Sequence, residues 1–401
     1  MPVLTRKTAS PYRLALFWLG IQAVWGALLG ISLQSRTIEL SPRDALIAYG
    51  HLATAGAAMA ALVQIVVGFW SDARRRGGSR RIEFYLAGSI GGTIALVSFY
   101  GAQSFFALTV SFIALQAALN LAIGPYQAII PDFIEGRRIG VASSWMAALQ
   151  SAGNAIGALA ASFIANARLL AASLSALLLV TSAVTSAHAR GLPLREVQST
   201  GPLRVTRPFV DLFISRALVY VGFYTLLGYL LFYVESVLGA STLAAARLQT
   251  GILIVTFTVV GALGAALAAR PSDRLDKRLV ATLGAAGFIV ALAVFILSHG
   301  FVGIVAATLV AGLGWGIFLV ADWAIACRVL PPAAMATAMG LWNLAVILPQ
   351  IIAPAFTTLV LARFALTAGG QGPRVAFGLA LAETLVGIAW LWRLSRRDIG
   401  E

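Results

Sequence analysis

The chain has 401 residues, 60% of them apolar and 11% charged, and a formal net charge of +14. Soluble domains carry about 45–50% apolar and about 25% charged residues, so this composition excludes a soluble globular protein and implies a polytopic membrane protein. The charge does not point to nucleic acid, because the arginines lie between apolar runs rather than along one solvated face. One cysteine, Cys327, excludes an internal disulfide, and three scattered histidines form no metal cluster.

Arg6, Lys7 and Arg13 precede the first apolar run, which lacks a small-residue cleavage site and is read as a retained span. Spans are predicted at about 13–35, 46–70, 82–101, 104–130, 139–164, 168–188, 211–237, 244–269, 279–298, 301–327, 334–362 and 374–393. Each is near the roughly 20 residues that a bilayer requires. Between the second and third lies Gly68 to Arg81, GFWSDARRRGGSRR, which sets five arginines behind Asp72. Cationic loops beside membrane helices stay cytoplasmic. With both termini on that side, 23 of the 29 basic residues fall in cytoplasmic segments and 6 outside, which orients a multi-pass protein in a plasma membrane of the bacterial inner-membrane type.

Ala269 to Arg278, ARPSDRLDKR, repeats the polar stretch more faintly, with Ser272-Asp273 matching Ser71-Asp72. Such an echo is the mark of internal duplication. The segment 189–210 contains Gly191, Pro193, Gly201, Pro202 and Pro208, has no apolar periodicity, and reads as a cytoplasmic linker. The expected architecture is an all-α membrane protein with twelve transmembrane helices in two pseudo-symmetric six-helix bundles, residues 1–188 and 211–401.

Chemistry inside the spans is sparse. Thirteen of the fifteen acids lie in loops or at span ends, leaving Asp322 in the tenth span and Glu383 in the twelfth. An acid within a span is a functional candidate, because its ionised form is costly to bury. Arg216, at a similar depth on the seventh span, is the nearest counter-charge for Asp322, and a pair that breaks on protonation or on solute binding is expected. Glu383 is expected to pack against the tenth span. On the fourth span Gln116, Asn120 and Gln127 recur at steps of four and seven, one face of a helix. Gln22 and Trp25 lie on the first span, Gln150 and Asn154 on the fifth, and Tyr220 and Tyr224 share a face of the seventh, with Tyr229 and Tyr233 further out. Polar side chains in spans either meet a solute or join helices by hydrogen bonds, and tyrosine and tryptophan can stack on a sugar ring while their polar atoms hydrogen-bond. For Tyr233 an interfacial aromatic belt is the plainer expectation.

Six plus six spans, the cytoplasmic central loop and the Gly68-x-x-Ser71-Asp72 loop resemble the major facilitator superfamily over the whole chain. The long spacing from Asp72 to Arg80 and the stretch Gly124 to Ala158 look like its branch of glycoside, pentoside and hexuronide cation symporters and their sucrose-transporter-like relatives. Ala338, Gly340, Trp342 and Asn343 echo Ala142 to Trp145 in the second half. The resemblance implies the major facilitator fold, with two bundles rocking about a central site that helices 1, 4, 7 and 10 line. It implies that Gln22, Trp25, Gln116, Asn120, Gln127, Gln150, Asn154, Tyr220, Tyr224 and Asn343 face a small solute, a sugar or glycoside above all. Asp322, Arg216 and Glu383 become the candidates for proton coupling. Gly68, Asp72, Arg80, Arg81, Asp132, Arg137, Arg138 and Asp273 become cytoplasmic gate residues, with Asp72 meeting a helix N-terminus, such as that after Pro331-Pro332, or one of its own arginines.

The sequence departs from that branch in one respect. Cation-coupled members carry acids on helices 2 and 4, where this chain offers His51, Thr54 and Gln64 on the second span and no acid on the fourth until Asp132. Protons, or no coupling ion, therefore fit better than sodium. No Gly-x-Ser-x-Gly elbow, Walker loop or metal-ligand cluster supports an enzyme, and no cofactor is expected. An exporter or carrier of amphipathic compounds, or a non-transporting assembly or sensor protein on the same fold, would share the architecture. The glutamines and asparagines favour a polar solute. A monomer is expected, its partners being that solute, protons and the lipid bilayer.

Overall fold

The computed structural model describes residues 9–76, 80–134, 139–193, 205–329, 335–366 and 371–395. Among them the regular structure is helical: α1 Pro11–Leu40, α2 Ala45–Arg76, α3 Ile82–Gly101, α4 Phe105–Tyr126, α5 Ile139–Phe163, α6 Ala167–Arg190, α7 Arg207–Ser236, α8 Leu243–Arg274, α9 Lys277–Leu297, α10 Phe301–Val329, α11 Met335–Arg363 and α12 Gln371–Leu391. Eleven helices of the described residues are long and apolar enough to cross a membrane. The twelfth, α5, has 25 residues and thus the length, but Ser143, Ser144, Gln150, Ser151 and Asn154 make it more polar.

Helix starts follow local chemistry. Ser104, Asn166, Thr206, Thr242 and Asp276 cap α4, α6, α7, α8 and α9, each side chain accepting a first-turn backbone N–H, which supplies acceptors for groups that have no intrahelical partner. Pro11 opens α1, where its missing N–H costs nothing.

Two compact units result: residues 1–42 with 55–198, and 43–54 with 199–401. The first turns of α2 therefore pack with the second unit, Tyr49 lying edge-on to Tyr229 at 5.6 Å and to Phe232 at 5.4 Å. Both units repeat one pairing plan. In the first, α1 packs on α5 and α6, and α3 on α4 and α6; in the second, α7 packs on α11 and α12, and α9 on α10 and α12. Close approach needs glycine at the seam of α1 with α5 and at that of α8 with α10: a Cβ on Gly157 would collide with the carbonyl oxygen of Ala23, and one on Gly316 with that of Gly261. Small residues let membrane helices pack backbone to backbone, where burial of apolar surface gives no net drive.

α1 is broken at Leu16, and two hydroxyls from other helices fill the gap. Thr185 on α6 donates to the Arg13 carbonyl at 2.9 Å and accepts from the Phe17 N–H at 3.2 Å. Tyr126 at the end of α4 donates to the Leu14 carbonyl at 2.8 Å and accepts from the Trp18 N–H at 3.3 Å. Each hydroxyl thus takes the place of one turn-closing backbone bond, from residue 17 to 13 and from 18 to 14. Inserting a side chain into the helical ladder is a recognised cause of a kink.

Some details differ from the sequence expectation. α4 ends at Tyr126, and Gln127, its C-cap, is exposed, unlike the buried Gln116 and Asn120. A short helix, Ile129–Phe133, follows. Tyr233 is not part of an exposed belt: it is fully buried between Phe295 and Phe377, and its hydroxyl donates to the Ser298 carbonyl at 3.3 Å. α7 begins at Arg207, four residues before the expected 211, because Thr206 and Pro208 already supply the cap and the first turn.

Candidate functional site

The polar core of the second unit is built on α7, whose Arg216, Tyr220 and Tyr224 follow at steps of four and share one face. Arg216 Nη1 forms an ion pair with Asp322 Oδ2 on α10. Both residues are buried, Arg216 being 6% and Asp322 3% exposed. The guanidinium carbon lies 3.6 Å over the Trp342 ring on α11 and 4.8 Å over Tyr220, and Nη2 reaches the Tyr220 hydroxyl at 3.4 Å. One helical turn on, the Tyr224 hydroxyl accepts from Gln350 Nε2 of α11 at 3.2 Å. Beneath them Trp315 of α10 stacks on Phe223 at 4.5 Å and 15° and meets Tyr220 edge-on at 5.3 Å. A desolvated guanidinium between an aromatic face and a carboxylate is held by charge, stacking and hydrogen bonding together.

Trp315 and Gln350 escaped the sequence reading. The available signal was spacing: Trp342 and Gln350, eight residues apart, share a face of α11. Trp315 lies seven before Asp322 and shares its face of α10.

Glu383 on α12 faces α7 rather than α10. Its Oε2 accepts from the Thr225 hydroxyl at 3.4 Å, while Oε1 is buried without a partner among the described residues. The reason is packing, since α12 lies along α7 and α9.

In the first unit the polar spans form two hydrogen-bonded groups. Gln64 of α2 donates to Asn120 Oδ1 at 2.7 Å, and Asn120 Nδ2 donates to the Gln116 carbonyl at 2.8 Å and to Gln116 Oε1 at 3.3 Å. Asn154 of α5 donates to Gln22 Oε1 of α1 at 3.0 Å. Trp25 and Gln150 are half-buried nearby in sequence on the same two helices. The side chain of Asn343 lies outside the described residues.

At the end of the unit where α3 begins, Arg81 joins two carboxylates, Asp72 at 2.5 Å and Asp132 at 3.1 Å. Asp72 is the exposed partner, whereas Arg81 and Asp132 are largely buried. Arg80 donates to the carbonyls of Ala189 and Leu192 at the end of α6, at 2.7 and 2.9 Å. The second unit repeats the device: Arg278 at the start of α9 donates to the Leu394 carbonyl just past α12 at 2.6 Å and pairs with Asp276 at 2.6 Å. Cationic side chains are favoured at helix C-termini, where carbonyls lack partners. Gly68 is half-buried with open space where a Cβ would sit. Arg137, Arg138 and the side chain of Asp273 lie outside the described residues.

The described residues contain no group of three or more His, Cys, Asp or Glu side chains arranged to hold a metal ion. The duplicated plan has counterparts among solved structures. A bacterial homolog of the human lysosomal transporter Spinster, inward-facing and unoccupied, superposes with a TM-score of 0.75 at 16% identity over 97% of this chain and 99% of that one. A D-xylose-proton symporter gives 0.75 at 12% identity, covering 97% and 98%, and the nucleoside transporter NupG gives 0.71 at 14%, covering 96% and 99%. At such identities the likeness is one of fold. No curated protein sequence matches the chain. The family model of the Major Facilitator Superfamily matches residues 14–354 and again 212–399. With two six-helix units on one pairing plan and a family match across most of its length, this chain belongs to the Major Facilitator Superfamily.

Proposed function

We propose that this multi-pass membrane protein is a secondary transporter that moves a small polar solute, of sugar or glycoside type, across a bacterial inner membrane by alternating access, with protons as the coupling ion. The observation that carries this reading is the buried pair of Arg216 and Asp322, set against Tyr220, Trp342 and the Tyr224–Gln350 bond. A buried ion pair is weak evidence for stability, because desolvation offsets its attraction. Charges kept within membrane helices generally serve transport or proton relay. In this reading proton transfer to Asp322 releases Arg216, and Glu383 is a second protonatable group beside α7. Within the first unit Gln22 with Asn154, and Gln64 with Asn120 and Gln116, put polar side chains inside the spans, and such polarity favours a hydroxyl-rich solute over an amphipathic one. The asymmetry of basic residues supports cytoplasmic termini. A single chain holding both units acts as a monomer.

If Asp322 couples the proton, Asp322→Asn in proteoliposomes abolishes uptake driven by an imposed pH gradient, while exchange of unlabelled for labelled solute persists. Undiminished gradient-driven uptake would remove Asp322 from that role. The solute is first found by thermal shift of the purified protein against sugars, glycosides, amino acids and amphipathic drugs, since a ligand that binds the native state raises its apparent stability.

The contacts of Arg81 with Asp72 and Asp132 form part of a cytoplasmic gate in the same proposal, together with Arg80. Asp72→Ala then changes the rate at which cytoplasmic thiol reagents label cysteines placed on the polar faces of α4 and α7. Equal labelling rates would leave the Gly68 to Arg81 stretch a topology signal only.

A further inference from the structure

At the end of the second unit where α7 begins and α12 stops, a single buried carboxylate faces two arginines. Arg207 Nε lies 3.8 Å from Asp211 Oδ2 and Arg393 Nε 3.6 Å from Asp211 Oδ1, while the same Oδ1 accepts from Trp390 Nε1 at 3.0 Å. Both arginine distances exceed a hydrogen bond. The two arginine side chains are 82% and 47% exposed, and neither guanidinium donates a hydrogen bond among the described residues. One carboxylate balances one of the two charges, so an accessible unit of positive charge remains. Exposed pairs of this kind add little to stability. Nor does topology require them, since basic residues anywhere in the loops would orient the spans, whereas here the fold brings two from far apart in the chain to one point.

The surroundings are those of a membrane interface. Trp392, just past α12, is exposed and donates from Nε1 to Thr282 on α9 at 3.1 Å, and tryptophan is enriched at the headgroup level of membranes. Arg393 is held at that level, its guanidinium carbon 4.4 Å over the Trp390 ring. About one turn further into the span, Leu385 and Val386 are exposed on α12. Arginine binds phosphate oxygens through paired N–H donors. A zwitterionic headgroup would bring an ammonium group to a place where positive charge is already in excess, whereas an anionic one brings phosphate alone. We infer that Arg207 and Arg393 bind the phosphate of an anionic phospholipid, of phosphatidylglycerol or cardiolipin type, at the edge formed by α7 and α12, with its acyl chains along Leu385 and Val386. With the cytoplasmic termini proposed above, this end meets the leaflet whose anionic lipids attract basic segments. Such a site is independent of which solute the protein carries.

The test titrates the purified full-length protein with phosphatidylglycerol and with phosphatidylcholine of the same acyl chains, and counts bound lipid by native mass spectrometry. Phosphatidylglycerol is expected to bind at least about tenfold more tightly. Arg207→Gln and Arg393→Gln are each expected to weaken its binding about fivefold, the loss for one basic residue at an anionic surface, and to leave phosphatidylcholine unaffected. Arg328→Gln at the end of α10 is the control, an exposed charge of the same unit outside this cluster, and is expected to change nothing. Arg393→Gln also gives up the contact over Trp390, so Arg207→Gln carries the test if that variant fails to fold. The proposal is overturned if the two lipids bind alike, or if the variants at 207 and 393 bind phosphatidylglycerol as the parent does. It is equally overturned if Arg328→Gln weakens binding as much, which would leave net charge as the whole cause, or if inorganic phosphate at equal concentration displaces the lipid, which would make the ligand a soluble anion.

Discussion

Arg216→Gln is expected to lower the stability of the folded protein by about 3–5 kcal/mol, the usual result of removing one partner of a buried ion pair. Asp322 is 3% exposed, and Arg216 is the cation paired with it. Losing the guanidinium strands a carboxylate in a helical core, and the stacking on Trp342 goes with it. The double variant Arg216→Gln with Asp322→Asn should recover most of the loss, since neither charge then remains to be buried. Thermal unfolding of the single and double variants in one detergent measures both effects. A double variant as unstable as the single one would show that packing around Trp342, not charge, is what Arg216 contributes. Recovery of stability without recovery of transport would separate the structural part of the pair from its proposed coupling part.

The second large effect is expected at the break in α1. Tyr126→Phe removes a hydroxyl that serves the Leu14 carbonyl and the Trp18 N–H together. Tyr126 is fully buried against Phe17, Trp18 and Tyr85. The ring should stay in place and leave two backbone groups unmet, at a cost of about 1–3 kcal/mol for each. Tyr85→Phe is the matched control, because among the described residues the Tyr85 hydroxyl makes only a contact of 3.5 Å to the Pro125 carbonyl, and its cost should be smaller. Hydrogen exchange at the Phe17 and Trp18 amides should speed up in Tyr126→Phe, more so combined with Thr185→Val, which empties the neighbouring rung. If the double variant is as stable as the parent, α1 closes its own ladder without help and the hydroxyls do not hold the break.

Both predictions concern contacts that the sequence suggests only in part. The pairing of Arg216 with Asp322 follows from two rare charges at similar depth on the seventh and tenth spans, where burial leaves each few other partners. The polar face of α4 was legible at Gln116 and Asn120 through the helical period, whereas the exposure of Gln127 depends on where the helix is capped. Glu383 was placed against the wrong neighbour, since the sequence of α12 carries no mark of which helix it lies beside. Arg80 and Arg81 stood out as charges, but their duties on the α6 carbonyls and on Asp132 depend on where distant segments end.

The sequence alone determined the membrane class, the number of spans and the duplicated plan. These rest on apolar runs of bilayer length and on the recurrence of one polar Ser-Asp stretch, Ser71-Asp72 and Ser272-Asp273, each read within a few tens of residues. The capping residues Ser104, Asn166, Thr206, Thr242 and Asp276 are local in the same way. Tertiary structure decided which polar atoms meet and which stay unmet. Asn154 finds Gln22, Gln64 finds Asn120, Thr185 and Tyr126 enter the ladder of α1, and Arg216 finds Asp322. A hydrogen bond is made or lost over a few tenths of an ångström, and at that scale the outcome depends on how whole helices pack rather than on the period of any one of them.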